Sequence, residues 1–544
     1  MKKSAMCVAL VATLGLSACG DGKDGGTGLD SLVSHAKLAF GSEACWFGGL
    51  QLTSGLDRNR NGTLDADEVT TTTTDCKVNT VFGSTGVRPD FELIPDSVIA
   101  PVLDDVKKDR NIEFRRGGFG SDMVAHPSIA NRYYAITDRG PNADLKRVAE
   151  YPDSSTGKRF PDPDYVPRIG EFEVTEDGRV VKIREILLRD RDGKTITGLP
   201  NPAGLGSTNE MAFGPDGEPL LVDPSKPYDK TSYPTRTDPY GLDAEGLVAL
   251  KDGTFWVSDE YGPHMIHFDA SGKEIDRINA FAADDRRKGG YLLPAEFSKR
   301  RPNRGMEGLT ITPDGKTLVG IMQSAMSNPN GAANKSNLTR IVTVNLETKA
   351  VAQYLYRQGL EDENISGQEY SNSAIVALSN TTFLVLERDG DFYRDNSKAF
   401  KRVYKIDLRS ATDLEAVAAS GGLAQDAALG LTIDGKTLEQ IIVDGGTDKA
   451  FKSGWDALAA RGIKPATKTL TVDMVEKVKY PHDKMEGLWV INSSTLGVIN
   501  DDDFALWVNP VTFALQQKYL DSANTVFDGN TLYVIDGLDL KPLP

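Results

Sequence analysis

The chain has 544 residues, 39% of them hydrophobic, and a formal net charge of −16. That length is enough to bury one large core or several smaller ones. So acidic a balance excludes a nucleic-acid partner, whose phosphates it has no means to neutralise in bulk, and suits a protein that binds cations.

The N-terminus reads as an export signal: Lys2 and Lys3, then a short apolar stretch over residues 7–16, then small residues before a cysteine. The apolar stretch is too short to remain as a spanning helix. Leu16-Ser17-Ala18-Cys19 resembles the lipobox of bacterial lipoproteins. That resemblance implies removal of residues 1–18 and lipid on Cys19, the only link to a membrane. Gly20 after the cysteine suggests the outer membrane, on its periplasmic or surface face. An ordinary secretory signal cut near Ala18 is the alternative. Residues 19–29, rich in glycine, form a flexible linker.

Cys7 and Cys19 belong to the signal, which leaves Cys45 and Cys76. In an oxidising compartment they read most simply as a disulfide, a free pair or a metal pair being the alternatives. Between them, residues 57–68 match the twelve-residue calcium loop position by position. Asp57, Asn59 and Asn61 offer side-chain oxygens and Thr63 its carbonyl. Asp65 acts directly or through water, Glu68 closes the shell, and Gly62 allows the sharp turn. Glycines before the loop and threonines after it replace the usual flanking helices, so a structural loop within a small module, residues 30–85, is expected.

From residue 88 to 544, short apolar runs separated by Gly, Pro, Asn and Asp point to an all-β domain. One pattern recurs: an acidic or amide residue, an apolar run, a turn, a second apolar run and another polar residue. The copies run from Asp122 to Asp138, Glu210 to Asp223, Glu245 to Asp259-Glu260, Glu307 to Gln323, Asn372 to Glu387-Arg388-Asp389, and Glu486 to Asp501. Each has the length of a hairpin, and six hairpins suggest a β-propeller of about six blades. A copy at residues 526–536 is either a seventh blade or the closing strand. Insertions are expected at 151–165 and 438–478, with a helix near Trp455. If the copies are in register, their leading carboxylates converge at one end of the channel. They would raise one another's pKa unless a cation sat among them.

These motifs resemble the phytase-like family, described by an esterase-like activity. The pieces that carry the resemblance are YAITDRGPN (134–142), GLDAEGL (241–247), FWVSDEYGP (255–263), MEGLTITPD (306–314) and FLVLERDG (383–390), with Met485 to Leu488 and Asn500 to Phe504. The resemblance spans about residues 90–540 and implies a propeller-type fold with calcium-assisted hydrolysis of phosphate or other esters.

No nucleophile elbow G-x-S-x-G, Arg-His-Gly signature or P-loop occurs. Of the five histidines only His264 and His267 lie close together, and a structural role is favoured for both. Elimination leaves metal-assisted hydrolysis in a monomer acting on a small-molecule ester or phosphate. Calcium held by Asp122, Glu210, Glu245, Asp259, Glu307 and Glu486 would bind a substrate oxygen and orient a water. Asp138 and Glu260 lie beside it, and Arg139 or Arg388 would stabilise developing charge. The competing reading is a calcium-stiffened propeller without catalysis, binding a glycan, a phosphorylated ligand or a partner protein.

Overall fold

The computed structural model describes residues 28–89, 117–145, 156–206, 210–232, 234–361, 363, 365, 368–446, 451–509 and 515–543. The signal, Cys19 and most of the linker lie outside them. The chain divides into a unit that ends at Lys77 and one that begins at Val78. No helix among the described residues is long and apolar enough to cross a membrane.

The small unit is a three-stranded antiparallel sheet of Ser31–Phe40, Phe47–Leu56 and Val69–Cys76. Residues 57–68 connect its second and third strands, and Cys45 is bonded to Cys76. Phe40, Trp46 and Phe47 pack together beside the disulfide, with ring centroids 4.9–6.4 Å apart. The unit stops at Lys77, short of the expected 85. Beyond it the chain joins the large unit, where Phe82 is buried and Val87 bridges Leu532.

The large unit is nearly all β. Four four-stranded antiparallel sheets follow in order. The first is built from Asp122–Ala125, Arg132–Ile136, Arg168–Val174 and Val180–Leu187. The second comprises Ala244–Ala249, Phe255–Asp259, His264–Phe268 and Glu274–Ile278. Met306–Ile311, Thr317–Met322, Leu338–Asn345 and Val351–Arg357 make the third. The fourth has Ser371–Ala377, Thr382–Arg388, Lys401–Asp407 and Thr467–Asp473. A fifth, of Gly487–Asn492, Thr495–Ile499 and Leu532–Ile535, gains the Val87 bridge at its outer edge.

The first strands of these sheets pack in a cycle: first on second, second on third, third on fourth, fourth on fifth, and fifth back on first. The sequence explains how they come so close. In Glu-Gly-Leu the leucine enters the core between sheets (Leu247, Leu309 and Leu488 are buried), while the glycine faces the neighbouring backbone. A Cβ on Gly246 would lie 2.4 Å from the Leu309 nitrogen, and one on Gly308 would lie 2.7 Å from the Ile375 nitrogen. On Gly487 it would meet the Met123 nitrogen at 2.9 Å, across the joint where the cycle closes. Tyr133 and Trp489 pack across the same joint, rings tilted by 35° with centroids 5.3 Å apart. Because both faces are covered, central strands such as Thr382–Arg388 are buried throughout and read as continuous apolar runs.

Five of the six expected hairpins occupy this cycle. The copy at Glu210–Asp223 does not. Its first run, Glu210–Phe213, pairs in parallel with Thr156–Arg159, and its second forms only the isolated bridges Phe213↔Pro219 and Leu221↔Thr235. Pro219 in the second run removes a ladder donor, so the run cannot serve as an inner strand. The 526–536 copy supplies the third strand of the fifth sheet. Between the last two strands of the fourth sheet lie the helices Leu438–Asp444 and Lys452–Ala460, whose Leu438, Ile442, Trp455 and Leu458 pack on Leu338 and Leu355. A fully buried Arg340–Glu439 ion pair (2.7 Å) fixes them there.

Gly308→Ala should cost about 1–3 kcal/mol in chemical denaturation, because the atom it would strike is backbone. Gly390→Ala, which meets nothing within 4 Å, should stay within about 0.5 kcal/mol. Replacing Cys45 and Cys76 by Ala should destabilise the small unit by about 3–4 kcal/mol, the loop-closure entropy of a separation of 31 residues, read as faster proteolysis within residues 57–68.

Candidate functional site

Every hairpin of the cycle brings the start of its first strand and the end of its second to the same end of the sheet. The register shifts at the start of three first strands: Ala244/Leu247, Met306/Gly308 and Asn372/Ala374. Such bulges leave a residue out of the ladder and re-aim its side chain. In the second and third sheets the residues so released include Glu245 and Glu307.

One grouping is Asp243, Glu245 and Glu260, all buried, with one oxygen from each within 4.8 Å of the others. Asp259 builds their frame. Its Oδ1 accepts the backbone N–H of Asp243 (2.9 Å) and Tyr261 (3.2 Å), and its Oδ2 accepts that of Gly262 (3.2 Å). The Glu260 N–H returns to the Asp243 carbonyl at 2.9 Å. The guanidinium of Arg139 lies 3.3 Å from Asp243 Oδ2 and 3.1 Å from Glu210 Oε2, over the ring of Tyr261. Gln323 Nε2 donates to both Glu260 (2.5 Å) and Glu307 (2.8 Å), so one amide holds two carboxylates in register. Ser373 Oγ donates to the other Glu307 oxygen at 3.3 Å.

Electrostatics at this grouping oppose charge. Burial pushes Glu245 well above the ordinary carboxylate range, and Glu307, Glu260, Glu486 and Asp243 push it further. Glu260 is raised well above its ordinary value by burial, then by Glu307 and Asp243, with Arg139 and Arg304 offsetting in part. Asp243 is raised by burial against the pull of Arg139, and its Oδ2, though near that guanidinium, makes no hydrogen bond. Burial lifts Glu486 to about 8 despite Lys484 and an ion pair with Arg388, which also donates to Ser373 Oγ at 3.2 Å.

On the other side of the mouth Asp138, Asp501 and Asp503 also bring oxygens within 4.8 Å. Here the chain supplies its own cations. Lys484 Nζ lies 2.7 Å from Asp501 and 2.6 Å from Asp503, and Lys518 Nζ reaches the second Asp503 oxygen at 2.6 Å. The two lysines, more than offsetting burial, hold Asp503 far below the usual carboxylate range. Asp138, which accepts the Gly140 N–H at 2.7 Å, is raised well above it by burial and by Asp501 and Asp243.

Of the residues singled out in the sequence, Glu245, Glu260, Glu307, Glu486, Asp138, Arg139 and Arg388 meet in this mouth, with Glu210 reaching it through Arg139. Asp122 does not join the carboxylate grouping. Its oxygens accept the backbone N–H of Met123 (2.8 Å) and Leu247 (2.9 Å), tying the first sheet to the second. Asn372 likewise donates to the Met322 carbonyl (3.0 Å) and Thr339 Oγ1 (2.8 Å). His267 stacks on Trp256, and His264 is buried with Nε2 3.2 Å from the Leu205 carbonyl. Asp243 and Asp503 were not singled out. Asp243 had a signal, since it stands two residues before Glu245 in GLDAEGL; Lys518 had none.

The small unit carries its own candidate. Asp57 accepts the N–H of Asn61 (3.1 Å) and Gly62 (2.8 Å), the latter with φ 75°. Glu68 closes the loop by accepting the N–H of Arg58 (2.7 Å), Asn59 (3.1 Å) and Asp65 (3.1 Å). The side chains of Asn59 and Asn61 both donate to Asp65 Oδ2, at 2.7 and 2.8 Å.

Residues 30–76 match DUF7151, a domain of unknown function. A curated relative, an uncharacterised secreted protein of Arthroderma benhamiae, is 28% identical over 281 residues, 44% of this chain and 54% of that protein. The chain thus spans about half the length of this relative. Among solved structures, a protein from Lactobacillus plantarum gives 11% identity and a TM-score of 0.28, covering 80% of this chain and 94% of its own. The periplasmic gluconolactonase of Pseudomonas aeruginosa gives 10% and 0.25, with 76% and 88% covered. Likenesses at that level carry no argument for fold or activity. A family model described as phytase-like, esterase-like activity of phytase, matches residues 115–504, a span that includes the whole mouth from Asp138 to Asp503, and the chain belongs to that family.

Proposed function

We propose that the protein is an exported, calcium-dependent hydrolase of phosphate or other esters, working in the acidic mouth of a five-bladed β-propeller. The observation that carries this reading is the Asp243–Glu245–Glu260 grouping: three buried carboxylates, one with an oxygen that makes no hydrogen bond, and a central member on which every leading influence opposes charge. An all-oxygen donor set suits a hard cation, so these residues fit calcium. Bound there, calcium would supply Lewis-acid polarisation of a substrate oxygen.

The rest of the work falls to the chain's own residues. Asp259 and Arg139 orient Asp243, and Gln323 keeps Glu260 and Glu307 from swinging apart. Asp138 serves as proton donor to the leaving oxygen, since burial and the carboxylates beside it favour its protonated form. Lys484 and Lys518 neutralise Asp501 and Asp503, so a single cation in this mouth is expected. A second calcium belongs to the small unit, held by Asp57, Asn59, Asn61, Thr63, Asp65 and Glu68. The secreted relative and the Leu16–Cys19 pattern support export, with lipid on Cys19 as the anchor.

Calcium titration of the mature chain should therefore reveal two sites. Glu68→Gln should remove one and Glu245→Gln the other, counted by isothermal titration calorimetry. Across a panel of phosphomonoesters, phosphodiesters and carboxyl esters, turnover should vanish with chelator and in Glu245→Gln but survive in Glu68→Gln. Asp259→Asn, which disturbs the frame and not the donors, should cost about 10–100-fold in calcium affinity or activity. If calcium raises the unfolding midpoint while no ester is hydrolysed, the hydrolase reading gives way to a calcium-stiffened binding module.

A further inference from the structure

The two arginines that the sequence offers for stabilising charge are already neutralised, Arg139 by Asp243 and Glu210 and Arg388 by Glu486. Two others in the mouth are not. Arg301 and Arg304 sit at the ends of a tight turn closed by the Arg304 N–H on the Arg301 carbonyl (3.0 Å), with Asn303 in the left-handed region at φ 54°. Gly305, the next residue, presses on the wall of the carboxylate grouping: a Cβ there would lie 2.5 Å from the Glu260 carbonyl oxygen. The turn is therefore fixed against the backbone that carries Glu260.

Among the described residues neither guanidinium has a carboxylate within ion-pair distance. Arg304 Nη1 donates to Ser371 Oγ at 3.1 Å, and Arg301 Nη1 is buried with no hydrogen-bond partner. Burial, with Arg301 and Arg388 alongside, pushes Arg304 down to about 10, and Glu260 and Glu307 offset only part of this. Arg301 is lowered by burial in the same way, with Glu260 in opposition. Arg300 next to them is different, for its guanidinium donates to the carbonyls of Gly206 (2.7 Å) and Tyr261. Two half-buried guanidiniums of like charge, side by side with a donor free, are arranged for an oxyanion that accepts from both.

We propose that Arg301 and Arg304 form the seat of a phosphoryl group, the anionic part of the substrate that the mouth hydrolyses. This rests on the hydrolase reading for the word substrate, but the seat itself is a binding site and is tested without turnover. It narrows the ester class to phosphate esters, because a tetrahedral dianion offers several acceptor oxygens to two forks while a neutral carboxyl ester offers no charge. It also assigns roles by side of the mouth: Asp243, Glu245 and Glu260 for the cation, the 301–304 turn for the anion.

The probe is inorganic phosphate, followed by ³¹P line broadening and calorimetry on the full mature chain in calcium-free buffer, with acetate in a parallel arm. Wild type should bind phosphate in preference to acetate. Arg301→Gln and Arg304→Gln should each weaken phosphate binding by about tenfold or more, while the Lys variants at both positions retain most of it. Arg236→Gln, an exposed arginine paired with Asp164 elsewhere, should leave it unchanged. Unchanged calcium affinity and unfolding midpoint in the Gln variants show that the fold persists. If either folds too poorly to assay, competition between phosphate and phenylglyoxal, an arginine-modifying reagent, with peptide mapping, replaces it, and protection of Arg301 and Arg304 is the expected result. Wild type that binds no phosphate, an acetate preference, or a folded Arg301→Gln/Arg304→Gln double variant with undiminished phosphate affinity overturns the proposal. Failure to hydrolyse any ester, with phosphate binding intact and lost in the variants, sinks the hydrolase reading and leaves the seat standing.

Discussion

The mouth depends on how closely five first strands approach one another. Where Glu-Gly-Leu is repeated, the neighbouring backbone passes so near the glycine that no side chain fits between. The leucine that follows is drawn into the apolar layer between sheets, and in the second and third sheets a bulge carries the preceding Glu245 and Glu307 out of the ladder. The carboxylates therefore do not gather because they attract anything in the protein. They gather because the packing of the strands leaves them nowhere else, and their mutual repulsion is a standing cost of the fold.

How that cost is offset differs around the mouth, and the difference organises its chemistry. On the Asp138 side, lysines 484 and 518 are built in and pair with Asp501 and Asp503. Around Glu307 the offset comes from the Arg388 charge and then from the Gln323 amide, which also restrains geometry. At Asp243, Glu245 and Glu260 one arginine lies within ion-pair distance, Arg139, already shared with Glu210, against three carboxylates. The imbalance of charge is thus local, concentrated where Asp243, Glu245 and Glu260 meet.

Much of this was legible in the residues. The Glu-Gly-Leu repeats carry both the register of the hairpins and the convergence of their ends, and the 57–68 loop carries its own geometry in every constrained position. The Glu210 copy misled because local pattern does not report pairing partners: its apolar run is a real strand, but its neighbour is Thr156–Arg159 in parallel, a partner that no hairpin rule predicts. Asp122 and Asn372 occupy leading positions, yet backbone and side-chain groups around them claim their polar atoms, among them the Leu247 N–H and the Met322 carbonyl of neighbouring sheets, and only three-dimensional packing sets those two nearby. Lys518 lies in an irregular stretch and reaches Asp503 across a distance that composition and spacing do not encode. The same is true of Arg301 and Arg304, whose lack of a counter-charge is a property of the assembled mouth.

The Val87–Leu532 bridge has a bearing on how such a chain can be made. The last sheet is completed by a residue from near the start of the large unit, and the neighbouring Val534 N–H is taken up by the Phe82 carbonyl. A polypeptide synthesised from its N-terminus holds Val87 and Phe82 without their partners until Leu532 and Val534 have emerged. The first four sheets can form along the way, but the joint between fifth and first, with Gly487 against Met123 and Trp489 against Tyr133, has to wait. The order of synthesis thus differs from the order of pairing: residues 82 and 87 are among the first of the large unit to be made and among the last to be paired.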